Sequence, residues 1–335
     1  MEIGIIGAGN VGTAMAALLG AHGARVTVTA RGARLARIRA EGVHLDDRGT
    51  PHHAAIAALP RLDAPQDAVF LCVKAQDLPE AVAANAAGIG PGTLVVPMVN
   101  GLPFWFDPAS AELGAVLDPG GLLRARLDPA QVLGAVLLMT IRRDAAGRAT
   151  STNTPTLSLA PVAGDTDPGR GAGLMAVLNA AGIRASAPDD IREAVLVKLL
   201  ANIATNPLSA LTGCSLAQIG RDPGLRAAAF AVAGEFRAWA AAAGYALPSD
   251  RWLGDLLLDA GDFPTSMLQD ARAGRVLELG AICRAPMGLA RGAGLAMPCL
   301  AAILARLEAA PALPLPEAAR AAALAGLPLP LAERT

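Results

Sequence analysis

The sequence predicts an α/β fold in which a doubly wound parallel sheet is followed by an all-helical C-terminal domain. In the first half, short apolar runs typical of buried strands alternate with segments of helical periodicity, as expected for parallel strands joined by crossover helices. From about residue 187 onward, the apolar segments have a helical period and none is typical of a strand. The length of 335 residues agrees with two domains, because one domain commonly takes about 150 residues.

The predicted strands are short apolar runs bounded by glycine or charge. EIGIIGAG is the first, NVGTAMAALLGAHG follows as a helix, and ARVTVTAR is the second strand. Later strands are predicted at residues 67–75, 92–101, 132–139 and 154–161, all in the same sheet. Helices are predicted at residues 191–206, 224–244, 249–261 and 275–294. We therefore predict domains at 1–187 and 188–310, followed by a Pro/Ala/Leu-rich tail at 311–335.

The composition argues against several classes of partner. A net charge of −1 with arginines scattered among acids gives no footprint for nucleic acid. The apolar stretches are interrupted by charge, and the start MEIGIIGAG does not resemble a signal peptide, so we expect a cytoplasmic protein without a membrane span. The four cysteines lack CxxC spacing, so no metal site is expected. Whether the chain forms a homodimer is left open.

A glycine-rich loop joins the first strand to the first helix. It consists of Gly7, Ala8, Gly9, Asn10, Val11 and Gly12, which fit GxGxxG. In a Rossmann-type domain, the first glycine permits a tight turn, the second lets the backbone approach a pyrophosphate, and the third lets helix and strand pack closely. We interpret the loop as a dinucleotide site. The alternatives are a structural glycine turn or the similar loop of a methyltransferase.

Basic and amide side chains follow the predicted strands. NAD-binding domains usually place an acid about 20 residues after the glycines, to accept a hydrogen bond from the ribose. Arg31 stands there instead, and a guanidinium can bind a 2′-phosphate, so NADPH is favoured over NADH. Arg34 lies on the same segment, and the alternative for it is an ordinary surface arginine. Lys74 and Asn100 each end a predicted strand, at the edge where such sheets bind the cofactor.

Only two of the 28 basic residues are lysines, Lys74 and Lys198, and the second lies among leucines and valines. Lys198, Asn202 and Asn206 are spaced four residues apart, so they share one face of an otherwise apolar helix. Such a stripe is typical of a cleft lining. The alternative is a lysine that reaches the surface, with Asn206 ending the helix before Pro207.

Two further segments contain candidate site residues. Ser266 and Glu278 lie on either side of Gly274, and the apolar neighbours of Glu278 suggest a partner cation. The alternative is an acid on a helix surface. A long connection at residues 102–130 carries three aromatic residues, Phe104, Trp105 and Phe106. These aromatics either close over a substrate or form packing or dimer contacts.

These motifs, in this order, resemble those of the ketopantoate reductases (2-dehydropantoate 2-reductases). The resemblance covers nearly 300 residues, including KLLANIATNPLSALTG and SMLQDARAGRVLELG. It implies that Lys198 is the catalytic lysine, that Glu278 lies beside it, and that Asn100 and Glu278 also lie close to the cofactor. It further implies that Asn100, Asn202, Asn206 and Ser266 bind the 2-oxo acid, and that Arg31 and Lys74 contact NADPH phosphates.

The implied reaction explains why a lysine stands at position 198. Hydride addition to a ketone produces an alkoxide, which an ammonium can polarise and protonate, whereas a guanidinium holds its proton too tightly. We therefore expect NADPH-dependent reduction of a 2-oxo acid, most specifically 2-dehydropantoate to (R)-pantoate. The alternatives are a related reductase of another 2-oxo acid or ketone, or a non-catalytic NADP-binding sensor.

Overall fold

A computed structural model describes residues 1–164 and 168–329 of the chain. The chain forms two compact units. The first comprises residues 1–99, 103–108 and 118–194, and the second comprises residues 100–102, 109–117 and those from Val195 onward. The predicted domain boundary near residue 187 stays a prediction, because compactness alone does not define a domain that folds independently.

Within the described residues, the strands all lie in the first unit. They are β1 (Glu2–Ile6), β2 (Arg25–Thr29), β3 (Val43–Asp47), β4 (Thr50–Ala54), β5 (Ala57–Leu59), β6 (Ala68–Leu71), β7 (Leu94–Pro97), β8 (Leu133–Leu138), β9 (Ile141–Arg143), β10 (Ala149–Ser151), β11 (Thr156–Pro161) and β12 (Arg184–Ser186). The central sheet has the order β5-β2-β1-β6-β7, and all of its pairs are parallel. Strands β6 and β7 are buried throughout, as expected for a sheet covered on both faces. The predicted parallel sheet is confirmed.

The helices divide between the two units. They are α1 (Asn10–Ala21), α2 (Gly32–Glu41), α3 (Leu78–Ala84), α4 (Ala111–Leu117), α5 (Leu122–Arg126), α6 (Pro168–Ala180), α7 (Ile191–Thr212), α8 (Leu216–Arg221), α9 (Pro223–Ala242), α10 (Asp250–Asp259), α11 (Ser266–Arg272), α12 (Ala285–Gly292), α13 (Pro298–Ala309) and α14 (Glu317–Leu324). All of those from α8 onward lie in the second unit, so the predicted helical character of this region is confirmed.

The prediction that residues 132–139 and 154–161 continue the parallel sheet was wrong. Strand β11 pairs antiparallel with β8 in a separate sheet of order β12-β11-β8, and a single bridge between Val95 and Val132 connects β7 to the start of β8. The physical reason is the connection between the strands. Between β8 and β11 the chain forms only the short strands β9 and β10, and a parallel pair would need a crossover helix. A helix, α6, does precede β12, which is parallel to β11.

A four-stranded sheet of order β4-β3-β10-β9 was not predicted from the sequence. In VHLDD the apolar alternation covers only Val43 and Leu45, and TPHHA has no such alternation, so neither strand carries the longer pattern that marks a half-buried strand. The turn between them has two residues, Arg48 and Gly49, both with positive φ. Such a pair gives the twist that a two-residue hairpin needs.

Helix α7 carries the predicted polar stripe and is the longest helix of the second unit's core. Its leucines at 196, 199 and 200 are at most 1% exposed. The helix continues through Pro207 to Thr212, so the alternative that Asn206 ends the helix is wrong. Among the described residues, it alone is long and apolar enough to cross a membrane, but it is mostly buried, as in the core helix of a globular protein.

The helix predicted at residues 275–294 begins later than expected. Residues 275–278 are not helical, a π-helical turn covers Gly280–Arg284, and α12 then follows. Gly274 has φ +62° and the Arg275 N–H donates to the Asp270 carbonyl at 2.9 Å, which terminates α11. Glu278 is therefore a residue of a non-helical segment, and not the surface helix acid considered as its alternative.

The connection at residues 102–130 is partly helical, since it contains α4 and α5. Its three aromatic residues are all at most 9% exposed. The Arg192 Nε donates to the Phe106 carbonyl at 3.0 Å, and its guanidinium lies 5.9 Å from the Trp105 ring centroid. These contacts within the first unit favour the packing interpretation of the aromatic residues over closure above a substrate.

The predicted tail contacts the helical region within its described residues. The Leu315 N–H donates to the Leu211 carbonyl of α7 at 2.8 Å, and α14 follows. Residues 330–335 of this tail lie outside the described residues.

One carboxylate in the second unit secures the start of α13. Glu235, on α9, accepts hydrogen bonds from the Cys299 N–H at 2.6 Å and the Leu300 N–H at 3.1 Å. Burial raises the pKa of Glu235, and these two bonds oppose that effect. Glu235 thus satisfies two of the N–H groups that a helix N-terminus leaves without a helical partner.

We expect Glu235→Gln to lower the free energy of unfolding by about 1–2 kcal/mol, because a neutral amide oxygen replaces a charged acceptor of two bonds. Urea denaturation measures this change. Glu317→Gln, at an exposed position on α14, is the control and should stay within about 0.5 kcal/mol of the parent. Equal stability of the Glu235 variant and the parent would contradict the anchoring role.

Candidate active site

The glycine loop of the first unit has the geometry of a phosphate cradle. Gly7 has φ +103°, which L side chains rarely adopt. A Cβ at Gly12 would lie 1.9 Å from the Gly7 carbonyl oxygen, so only glycine permits this approach of α1 to the loop. A Cβ at Gly9 would meet nothing closer than 3.8 Å, so this side of the loop is open to a ligand. Helix α1 begins at Asn10, and its N-terminus therefore favours an anion here.

A cavity of about 310 Å³ adjoins this loop within the first unit. Its lining includes Gly7 and Ala8 of the loop, Thr29 at the end of β2, and the two arginines Arg31 and Arg34. The carboxylates of Asp77 and Glu80 contribute to another part of the wall. An open glycine loop, a helix N-terminus and two guanidinium groups together fit the phosphates of a dinucleotide.

The two basic residues predicted to contact phosphate differ in their surroundings. Arg31 is the second residue after the end of β2. Its side chain is 87% exposed, and its guanidinium lies 3.7 Å from the Glu80 carboxylate. Lys74 is partly exposed and lies just beyond β6, where its carbonyl accepts from the Asp77 N–H at 2.9 Å. Both therefore stand beyond the carboxyl ends of parallel strands, as the sequence predicts.

The polar stripe of α7 lies in the second unit. Lys198 and Asn202 are partly exposed, whereas Asn206 is 3% exposed. The Asn206 Nδ2 is buried and has no hydrogen-bond partner among the described residues. A buried amide donor without an acceptor costs free energy, so this arrangement favours a ligand that supplies the acceptor.

The pKa of the Lys198 amine is strongly lowered. Burial lowers the pKa of Lys198 to about 8, and the charge of Glu278 partly opposes that effect. The two side chains therefore interact electrostatically, as the apolar surroundings of Glu278 in the sequence suggest. An amine with such a pKa exists as both ammonium and free amine near neutral pH, which suits proton transfer.

The Asn100–Gly101 turn belongs to the second unit and packs against the segment that follows Glu278. The Leu102 N–H donates to the Ala281 carbonyl at 2.9 Å. Gly101 has φ +87°, and a Cβ there would lie 2.4 Å from the Ala281 carbonyl carbon. Only glycine allows this approach, which brings Asn100 next to the π-helical turn that begins two residues after Glu278. Such turns are frequent at functional sites.

Ser266 lies in the same unit, at the first position of α11. Thr265 caps this helix through a bond from the Leu268 N–H at 3.1 Å, which leaves the exposed Ser266 hydroxyl outside the cap. The second unit thus contains all six of the residues predicted for acid catalysis and substrate binding, which are Lys198, Glu278, Asn100, Asn202, Asn206 and Ser266. Their functions stay predictions.

Two features of these sites were missed from the sequence. The π-helical turn after Glu278 has no periodic signal in the sequence, because its i+5 bonds extend over a single turn. Arg34 was not among the predicted cofactor residues, but it lines the cavity beside the glycine loop. Its position three residues after Arg31 on the same predicted cofactor segment is the signal that could have identified it.

Comparison with known proteins identifies the family. Residues 3–164 match the family model described as ketopantoate reductase PanE/ApbA, and residues 190–310 match the model of its C-terminal part. A 2-dehydropantoate 2-reductase of Mesorhizobium japonicum is 35% identical over 315 residues, which cover 91% of this chain and 96% of the relative.

Solved structures agree with this assignment. The crystal structure of a provisionally named ketopantoate reductase from Ralstonia solanacearum MolK2 is 32% identical and has a TM-score of 0.84, over 92% of this chain and 96% of the other. A D-mandelate dehydrogenase, solved with NADH and anilino(oxo)acetate, is 18% identical with a TM-score of 0.78, over 92% of this chain and 97% of the other. At that identity it shows a shared fold alone. The chain belongs to the ketopantoate reductase family, which comprises NAD(P)H-dependent oxidoreductases that act on CH–OH groups.

Proposed function

We propose that this protein reduces a 2-oxo acid to a 2-hydroxy acid with NADPH, and that the substrate is 2-dehydropantoate, which becomes (R)-pantoate. The observation that carries this proposal is the Lys198 amine, whose pKa is lowered to about 8 on a helix face that also presents two asparagines. A non-catalytic sensor would have no use for such a proton donor. Family membership and the 35% identical 2-dehydropantoate 2-reductase support the choice of substrate.

In this proposal, Lys198 acts as the general acid. When bound, the reduced nicotinamide supplies a hydride for the carbonyl carbon of the substrate. The ammonium of Lys198 hydrogen-bonds to the carbonyl oxygen, stabilises the negative charge that develops there, and donates a proton from Nζ. Glu278 opposes the effect of burial on the pKa of Lys198, so it keeps a useful fraction of the amine protonated at neutral pH.

The amides and the hydroxyl orient the substrate. The buried Nδ2 of Asn206 is a donor for a carboxylate or hydroxyl oxygen of the 2-oxo acid, and an anionic acceptor would form the stronger bond. Asn202 lies one turn earlier on the same face of α7, and the exposed Ser266 offers a hydroxyl. The resemblance to the family assigns Asn100 to both substrate and cofactor, and the turn of Asn100 packs against the segment after Glu278.

The cofactor is held by the first unit in this proposal. Backbone N–H groups of residues 7–12 and the N-terminus of α1 bind the pyrophosphate. Arg31 stands where an NAD-specific domain carries an acid, and it lines the cavity beside the loop, which favours NADPH over NADH. Lys74 adds a cation beyond β6. A cytoplasmic location belongs to the same proposal.

The function is tested by steady-state oxidation of NADPH and NADH with a panel of 2-oxo acids. We expect 2-dehydropantoate to give the highest kcat/KM among branched and aromatic 2-oxo acids, and NADPH to exceed NADH by at least about tenfold. A higher kcat/KM for another 2-oxo acid would reassign the substrate within the same reaction. Absence of turnover across the whole panel, with the cofactor bound, would instead support a sensor.

The test of the general acid is Lys198→Arg, which keeps the positive charge and the approximate length. We expect kcat to fall by at least about 100-fold, because a guanidinium does not release its proton at neutral pH. The dissociation constant for NADPH, measured by fluorescence titration, should stay within about threefold of the parent value. Arg251→Lys on the exposed face of α10 is the matched control and should leave kcat unchanged. A Lys198→Arg enzyme with more than a tenth of the parent kcat would exclude proton donation by Lys198.

The lowered pKa of Lys198 also predicts the pH dependence of the reduction. The ammonium is present below about pH 8 and is lost above it. We therefore expect kcat for reduction to be level near pH 6–7 and to fall roughly tenfold per pH unit well above 8. Rate measurements in mixed buffers of constant ionic strength locate this limb. A profile that stays level to pH 10 would show that the proton comes from another group.

A further inference from the structure

The inference concerns Arg34, on the first turn of α2 in the first unit. Its guanidinium lines the same cavity as Gly7, Ala8 and Arg31. Arg34 is three residues after the position at which dinucleotide-binding domains distinguish a ribose 2′-hydroxyl from a 2′-phosphate. Arg34 is therefore placed to contact the same part of a cofactor as Arg31.

Arg34 is held in a fixed position. Its Nη2 donates to the Thr13 Oγ1 of α1 at 2.9 Å, and its Nε is buried without a hydrogen-bond partner in the part of the chain that the structure describes. Behind it lies Gly147, in the turn between β9 and β10, where a Cβ would come within 2.2 Å of the Arg34 Nη1. The side chain is thus confined between α1 and this turn, and little conformational entropy remains to be lost on binding.

The surroundings of Arg34 are cationic. Burial lowers the pKa of Arg34, and the charges of Arg143 and Arg37 lower it further. The charge of Glu41 raises this pKa, but its effect is the smallest of the four. Arg143 also reaches the glycine loop, where it donates to the Ala8 carbonyl. An anion that binds among guanidinium groups reduces the repulsion between them, and this reduction favours binding.

Arg31 differs from Arg34 on each of these points. It is 87% exposed, and its guanidinium already lies 3.7 Å from the Glu80 carboxylate. By contrast, no ion pair connects Arg34 to a carboxylate within the described ranges, which end at 329 and omit 165–167. An anion that binds Arg31 must compete with Glu80, whereas one that binds Arg34 relieves repulsion.

We propose that Arg34 is the principal recognition residue for the ribose 2′-phosphate of NADPH, with Arg31 as the weaker contact. A phosphate monoester carries nearly two negative charges and can accept two parallel bonds from one guanidinium, which matches a fixed, repelled arginine better than a mobile, paired one. This inference rests on the proposed use of NADPH.

The test is calorimetric titration of NADPH and NADH into the full-length protein and its Arg34→Gln and Arg31→Gln variants. For Arg34→Gln, we expect the dissociation constant for NADPH to rise at least about tenfold, and that for NADH to change less than about threefold. Arg31→Gln should weaken NADPH binding by a smaller factor. Arg34→Lys keeps the positive charge but loses the paired N–H donors of the guanidinium, so its dissociation constant for NADPH should lie between those of the parent and Arg34→Gln. This variant also distinguishes a loss of recognition from misfolding.

Arg25→Gln is the matched control, because Arg25 lies at the opposite end of β2 and pairs with Glu2 on the surface. It removes the same charge and should leave both dissociation constants unchanged. Equal loss of NADPH and NADH binding in Arg34→Gln would assign this residue to the pyrophosphate and overturn the inference. A preference for NADPH that survives in Arg34→Gln but disappears in Arg31→Gln would also overturn it. Equal affinities in the unmodified protein would overturn the NADPH preference itself, whereas reductase turnover is judged separately.

Discussion

The constraint on which the second unit depends is one amine on the face of a helix that is otherwise apolar. Leu196, Leu199 and Leu200 are buried on this turn of α7, and the partly exposed Lys198 lies among them. Desolvation lowers the pKa of Lys198 to about 8. Because Glu278 opposes that effect, the amine retains its proton over part of the neutral range and releases it readily. The same burial thus stabilises the helix and lowers the pKa of the proposed acid.

Glycine determines how the other residues are assembled around that amine. The Asn100 turn is remote from Glu278 in the chain, but Gly101 lets its backbone approach Ala281 closely, and the Leu102–Ala281 hydrogen bond fixes the approach. In the first unit, Gly12 permits an equally close approach between α1 and the glycine loop. Both predicted binding regions therefore rely on backbone contacts that any larger residue would prevent.

The use of basic residues follows the chemistry that each position needs. Of the 28 lysine and arginine residues, 26 are arginine. Around the glycine loop, Arg34 and Arg143 serve as permanent cations with a planar set of donors, which suits phosphate binding. At position 198 a permanent cation would be useless as an acid, and lysine stands there instead. Arg34 and Arg31 differ in their partners, since Arg34 donates to the Thr13 hydroxyl whereas the Arg31 guanidinium lies 3.7 Å from the Glu80 carboxylate.

The sequence by itself determined the features that depend on local spacing. These are the alternation of strands and helices, the glycine loop, and the shared face of Lys198, Asn202 and Asn206. The repeat of two residues in a strand and 3.6 in a helix decides which side chains share a face, whatever the rest of the chain does. Only the tertiary structure decided the antiparallel pairing of β8 with β11, the π-helical turn after Glu278, the burial of Trp105, and the fixed position of Arg34. The π-helical turn is too short to leave a periodic signal. The other three result from contacts between segments apart in the chain, and neither periodicity nor motif spacing encodes which segments will meet.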